Sequence, residues 1–134
     1  MDQVTLDATN GRKVVVSRHR PPTADGEPWV FTTVLATGEA QASSEVWEYG
    51  PAGPAVFFRE LANNWRCWDG IKSYSSLEGE LTLDCRHDGL GLIVCEVTLG
   101  CVVPPAWRLS AEMTFGAGAH VERLADELES FLGA

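Results

Sequence analysis

The chain has 134 residues, of which 45% are hydrophobic and 22% charged, with 13 Gly and 7 Pro. That balance excludes a disordered tail, a collagen-like repeat and a disulfide-dense mini-protein, and it fits one ordinary soluble domain over residues 1–134, whose α+β class follows from the elements below. Ten Lys and Arg stand against 19 Asp and Glu, a formal charge of -9, so the surface repels phosphate backbones and no nucleic-acid partner is expected.

The acidity is uneven. Residues 1–20 carry four bases (Arg12, Lys13, Arg18, Arg20) and two acids (Asp2, Asp7), whereas the other 114 residues carry six bases and 17 acids. Such a field keeps a protein soluble, and it also attracts basic proteins and speeds their encounter. The N-terminus lacks a basic segment followed by an apolar one, and no apolar run approaches the ~20 residues that span a bilayer. A cytoplasmic protein with reduced thiols and no membrane partner is the expectation.

In chain order, residues 3–7 and 13–18 read as strands around Asn10-Gly11, a strong hairpin signal in which both turn positions are expected at positive φ. Three prolines and Asp25-Gly26 make 20–28 a loop. Residues 29–36 are β-branched and aromatic, hence a strand. Thr37-Gly38 turns the chain, and 39–49 return, ending in Val46-Trp47-Glu48-Tyr49. Alternation there is imperfect, so the facing of Trp47 stays open.

Gly50-Pro51-Ala52-Gly53-Pro54 breaks the pattern, and Pro54 suits a first helical turn. Phe57, Phe58, Leu61, Trp65 and Trp68 share one face of a helix over 54–68, which places both tryptophans in the core. Asp69-Gly70 would end it. Leu81, Leu83 and Cys85 then alternate with polar residues, as do Ile93, Cys95, Val97 and Leu99. Pairing Leu81 with Leu99, Leu83 with Val97 and Cys85 with Cys95 puts both apolar rows on one face and leaves Gly89-Leu90-Gly91 as the loop. Trp107, Leu109, Ala111, Met113 and Phe115 extend the pattern to a third strand. Val121, Leu124, Ala125, Leu128, Phe131 and Leu132 mark a closing helix over 119–132. The architecture predicted is a twisted, mainly antiparallel sheet with two helices packed on one face, the first helix crossing the sheet once.

The same register sets Asp84 opposite Glu96 on the polar face, with Arg108 within reach of Glu96 and Glu112 further along. Facing carboxylates can do acid–base work, hold a cation or form a docking face; the plain alternative is a solvated face balanced by Arg86 and Arg108. Glu45, Trp47 and Glu48 offer a second surface where an aromatic is ringed by acids. Gly116-Ala117-Gly118-Ala119-His120-Val121 is half a dinucleotide fingerprint, but no parallel strand or acidic ribose ligand follows, so it reads as a strand-to-helix turn. No cysteine pair has zinc spacing, and no base stands near Cys67 in sequence. Cys85 and Cys95 are expected as reduced core residues, a cross-hairpin bridge being the alternative. No catalytic residue, metal or cofactor is assigned.

Phe57-Phe58-Arg59-Glu60-Leu61, Trp65-Arg66-Cys67-Trp68-Asp69-Gly70, Ser76-Leu77-Glu78, His87-Asp88-Gly89-Leu90-Gly91, Trp107 and the closing helix with Leu124, Leu128 and Phe131 resemble a family of small bacterial proteins of unknown function. The order helix, two strands, Trp-strand, helix is also similar to WapI-type immunity proteins. That resemblance implies binding and neutralising a secreted toxin domain inside the cell that makes it. Together with the acidity it sets the leading expectation: a non-enzymatic module that binds a basic protein, of the immunity type, acting as a monomer or weak homodimer. Contacts are expected from Asp84, Glu96, Arg108 and Glu112, or from Glu45, Trp47 and Glu48. The alternatives are a small enzyme using the carboxylate pair, favoured by a cleft lined by His87, Asp84 and Glu96, and a homo-oligomeric structural module.

Overall fold

The computed structural model describes residues 3–20, 29–48 and 52–132. Strands β1 (Gln3–Asp7), β2 (Lys13–Arg20), β3 (Trp29–Ala36) and β4 (Gln41–Glu48) form one antiparallel sheet in that order. Helix α1 (Ala52–Asn63) leads to a second antiparallel sheet of β5 (Lys72–Ser75), β6 (Leu81–His87), β7 (Leu92–Cys101) and β8 (Trp107–Gly116), and α2 (Ala119–Leu132) follows. The fold is α+β, and the strands divide into two four-stranded meanders. In each meander every strand pairs with its neighbour in sequence, as short antiparallel connections favour. Helix α1 therefore joins two sheets instead of crossing one. Of the loop expected over 20–28, residues 21–28 lie outside the described residues, as do Tyr49 and Gly50-Pro51.

Local chemistry explains where the elements stop. In the β1–β2 turn only Gly11 takes positive φ (84°), and the Ala8 N–H donates to the Arg12 carbonyl at 2.9 Å. The loop is thus three residues long with glycine at the left-handed position, so Asn10 is spared the positive φ expected of it. Between β3 and β4 the Thr37 hydroxyl accepts the Glu39 and Ala40 N–H groups, which starts β4 at Gln41 and not at 39. Helix α1 ends at Asn63, five residues short of the expected end at Trp68, because the Asn64 side-chain amide donates to the Glu60 carbonyl at 2.8 Å and competes with the helical ladder. Trp65 consequently lies outside the core, 46% exposed, with the Arg66 guanidinium 5.2 Å from its ring. Trp68 packs against the core, edge-on to His87. Strand β5 had no apolar alternation to announce it: its sequence is Lys-Ser-Tyr-Ser.

The β6–β7 register matches the one expected from hydrophobic alternation together with a Gly89-Leu90-Gly91 loop, from Leu81↔Leu99 through Asp84↔Glu96 to Cys85↔Cys95. Leu83 and Val97 are buried and Leu109 packs against them. The inner faces of both sheets, with Val4, Val16, Phe31 and Val46 on one and Leu83, Val97 and Met113 on the other, close on the same core as Phe58 and Leu61 of α1 and Leu124 and Leu128 of α2. Cys85 and Cys95 are joined by a disulfide across the hairpin, Cα–Cα 4.1 Å, which corrects the expectation of two reduced thiols. The two residues pair directly across the hairpin and both are fully buried, which brings the sulfurs within bonding reach. Cys67 and Cys101 are free. Among the described residues no helix is long and apolar enough to cross a membrane.

Two seams hold the sheets together. At one, the Thr9 N–H donates to the Thr114 carbonyl at 2.7 Å, and Asn10 and Arg12 both donate to the Glu112 carbonyl. At the other, the Ser44 hydroxyl donates to the Gly100 carbonyl at 3.2 Å and the Leu77 N–H to the Trp47 carbonyl at 3.0 Å. This second seam brings β4, the β5–β6 turn and the end of β7 into one place.

Candidate functional site

The outer face of the second sheet carries a transverse row. Register sets Ser73 beside Asp84, Asp84 beside Glu96 and Glu96 beside Glu112, one residue from each of β5 to β8. Three carboxylates in adjacent strands repel one another, and solvent exposure of all three keeps that repulsion small. Ser73 donates to Asp84 at 2.6 Å, and Arg86 approaches Glu112 at 4.0 Å. Arg108 pairs with Gly100 and stands four residues along β8 from Glu112, about 13 Å at strand rise. It makes no ion pair with Glu96 among the described residues, and it lines with Glu96 and Asp84 a depression of about 210 Å³.

The second expected cluster divides. Alternation along β4 places Glu45 and Trp47 on its outer face and Glu48 on the inner face with Val46. Glu48 accepts a hydrogen bond from the Tyr74 hydroxyl, and burial together with that carboxylate pushes the Tyr74 hydroxyl far above its ordinary range. Glu48 is therefore tied to the interior, and Glu45 and Trp47 are the members that reach the surface. They line a depression of about 380 Å³ with Ser44, Glu78, Glu80, Val102 and Val103.

Between the two depressions runs the β7–β8 connection, Val102-Val103-Pro104-Pro105-Ala106, whose residues are all exposed. Val102 is 52% and Val103 66% exposed, and Trp107 and Leu77 stand out of the surface nearby in the fold. Cys101 and Val102 contribute to both depressions, so one apolar ridge separates two acid-lined hollows. The ridge is fixed at its base. A Cβ on Gly100 would lie 2.6 Å from the Trp107 carbonyl, so only glycine lets β8 start this close to β7.

Glu80 fixes the other wall. It is 6% exposed; one carboxylate oxygen accepts the Ser76 hydroxyl at 2.8 Å and the Glu78 N–H at 3.2 Å, the other the Trp47 N–H at 3.3 Å. Sequence reasoning missed Glu78, Glu80, Val102 and Val103. The ridge had a readable signal, since an apolar run holding two prolines cannot continue a paired strand. The Trp47–Glu80 contact had none, for it joins residues 33 apart.

His87 does not meet Asp84 and Glu96. It lies on the opposite face of β6, with Nδ1 accepting the Gly89 N–H and Nε2 against the Trp65 carbonyl. His120 is likewise occupied: Nδ1 accepts the Gly116 N–H at 2.9 Å and Nε2 bonds the Asp7 carbonyl. His120 thus ties the glycine-rich turn before α2 to the end of β8 and to β1. No group of three or more His, Cys, Asp or Glu side chains arranged to hold a metal occurs among the described residues.

Residues 7–134 match the model of a Family of unknown function (DUF6228), and the chain belongs to that family. No curated protein and no solved structure matches it.

Proposed function

We propose that this member of the DUF6228 family is a protein-binding module whose docking surface is the ridge 102–106 with the acid-lined hollows on either side. The observation that carries the reading is the contiguity of an exposed apolar ridge with carboxylates: Glu45 and Glu78 on one flank, Asp84 and Glu96 on the other. Stable interfaces are built with an apolar centre and a polar rim, and aromatic residues such as Trp107 and Trp47 supply much of their energy. The net charge of -9 selects a basic partner and raises the encounter rate. Glu112 and Arg108 extend the rim. The partner class that fits the resemblance to WapI-type immunity proteins is a basic toxin domain, neutralised by occlusion of its own cationic surface.

Where a secreted protein with a basic C-terminal domain is encoded beside this gene, co-expression with that domain tests the reading. Restored growth and a complex that co-elutes in gel filtration support it. Continued toxicity with two separate elution peaks overturns it.

A further inference from the structure

Glu80 is a buried carboxylate that helps to line a hollow and is held only by neutral donors. Ser76, the Glu78 amide and the Trp47 amide satisfy its oxygens, and no Lys, Arg or His comes within 4 Å of it among the described residues. Buried charges in proteins are ordinarily paired with an opposite charge. The walls above it are of another kind: the indole of Trp47 and the side chains of Val102 and Val103, with Glu78 at the exposed rim making no ion pair among the described residues. A hollow with apolar walls and carboxylates in its lining complements one type of side chain, an alkyl stem ending in a cation. From this geometry, and resting on the docking surface proposed above, we infer that the 380 Å³ hollow between β4, the β5–β6 turn and the β7–β8 ridge receives an arginine or lysine side chain of the basic partner.

The stem lies along Val102 and Val103, as long basic side chains do on apolar surface. The cation meets Glu80 where water is partly excluded, so the attraction exceeds that of a rim pair. The hollow beneath Asp84 and Glu96 differs on this point, because Arg108 already lines it. The inserted residue anchors the partner, and the carboxylate row on the outer face steers it.

The test is titration of the full chain with N-acetyl-arginine amide, followed by amide NMR shifts. The expected result is saturable shifts confined to residues 44–47, 78–80 and 101–103. N-acetyl-norleucine amide, which has the stem without the charge, should bind about tenfold more weakly, the order of one charge-assisted contact. N-acetyl-lysine amide in a parallel arm assigns the cation: a guanidinium preference points to bidentate pairing, equal binding to a point charge. Glu80→Gln should weaken binding by about tenfold, and Glu78→Lys, an exposed change that spares the fold, should do so at least as strongly. Shifts spread equally over Asp84, Glu96 and Glu112, or equal binding of the norleucine amide, would overturn the inference. In the co-expression assay, a complex unaffected by Glu78→Lys overturns the cation hollow but leaves the docking surface standing. No complex with the wild-type chain overturns the docking surface itself.

Discussion

The two hairpin loops that flank β7 in the second sheet sit at its opposite ends and differ in what they leave to solvent. The β6–β7 loop exposes Leu90 to 89%, but glycines flank it and Asp88 accepts the Leu90 and Leu92 N–H groups beneath it. A single apolar residue on a self-satisfied turn is ordinary surface. The β7–β8 loop exposes a continuous run, 102–106, between hollows lined by acids. The difference teaches that exposure alone says little; exposure that is contiguous, anchored and bordered by complementary charge describes a place to dock.

That contrast can be broken at the anchors first. Gly100→Val forces a Cβ against the Trp107 carbonyl and should cost about 3 kcal/mol or more in urea unfolding, whereas Gly38→Val, in an open turn, should cost under about 1 kcal/mol. Glu80→Ala strips three donors of their acceptor and should cost about 2–4 kcal/mol. Tyr74→Phe is smaller, about 1–2 kcal/mol, and it carries a pH signature. The unfolded chain releases the tyrosine proton near pH 10 while the folded chain keeps it, so wild-type stability should fall above about pH 10, and the variant should lose that slope.

At the other end of the scale the acids act. Backbone N–H groups of Leu92 and Leu90 hold the Asp88 carboxyl below its ordinary range, and Arg59 does the same for Glu129 across the helix pair. The unfolded chain takes up these protons first as pH falls. Stability is therefore full above about pH 4–5 and declines below it, and Asp88→Asn should flatten the acid limb in thermal scans. Asp84→Asn with Glu96→Gln removes a like-charge pair and should raise stability by a few tenths of a kcal/mol, while lowering the salt dependence of partner association measured by stopped flow.

What the sequence revealed followed the strength of its periodicity. Strict alternation from Leu81 to Leu99 excludes a one-residue slip, which would turn every apolar side chain to water, and the Gly89-Leu90-Gly91 loop selects the register among those that remain. The closing helix was equally legible, since Val121, Leu124 and Leu128 have no competing period, and its observed span is Ala119–Leu132. The end of α1 was not, because aromatic spacing continues past Asn63-Asn64 and hides the point where the amide breaks the ladder. One sheet could not be told from two, since alternation reports facing but not which strands share an edge. The site was half legible for a related reason. Asp84 opposite Glu96 is a matter of register, whereas the hollow of Trp47, Glu80 and Val102 is a meeting of three segments distant in sequence.

Paired substitutions on the two loops measure the central claim most directly. Against a basic partner domain that forms a complex in the co-expression assay, Val102→Asp with Val103→Asp should raise Kd by about 30-fold or more by titration calorimetry, the size of an interface hot spot. Leu90→Asp should change it by less than about twofold, as a surface site outside the interface would. Equal effects from the two loops, or a larger one from Leu90, would contradict the docking surface.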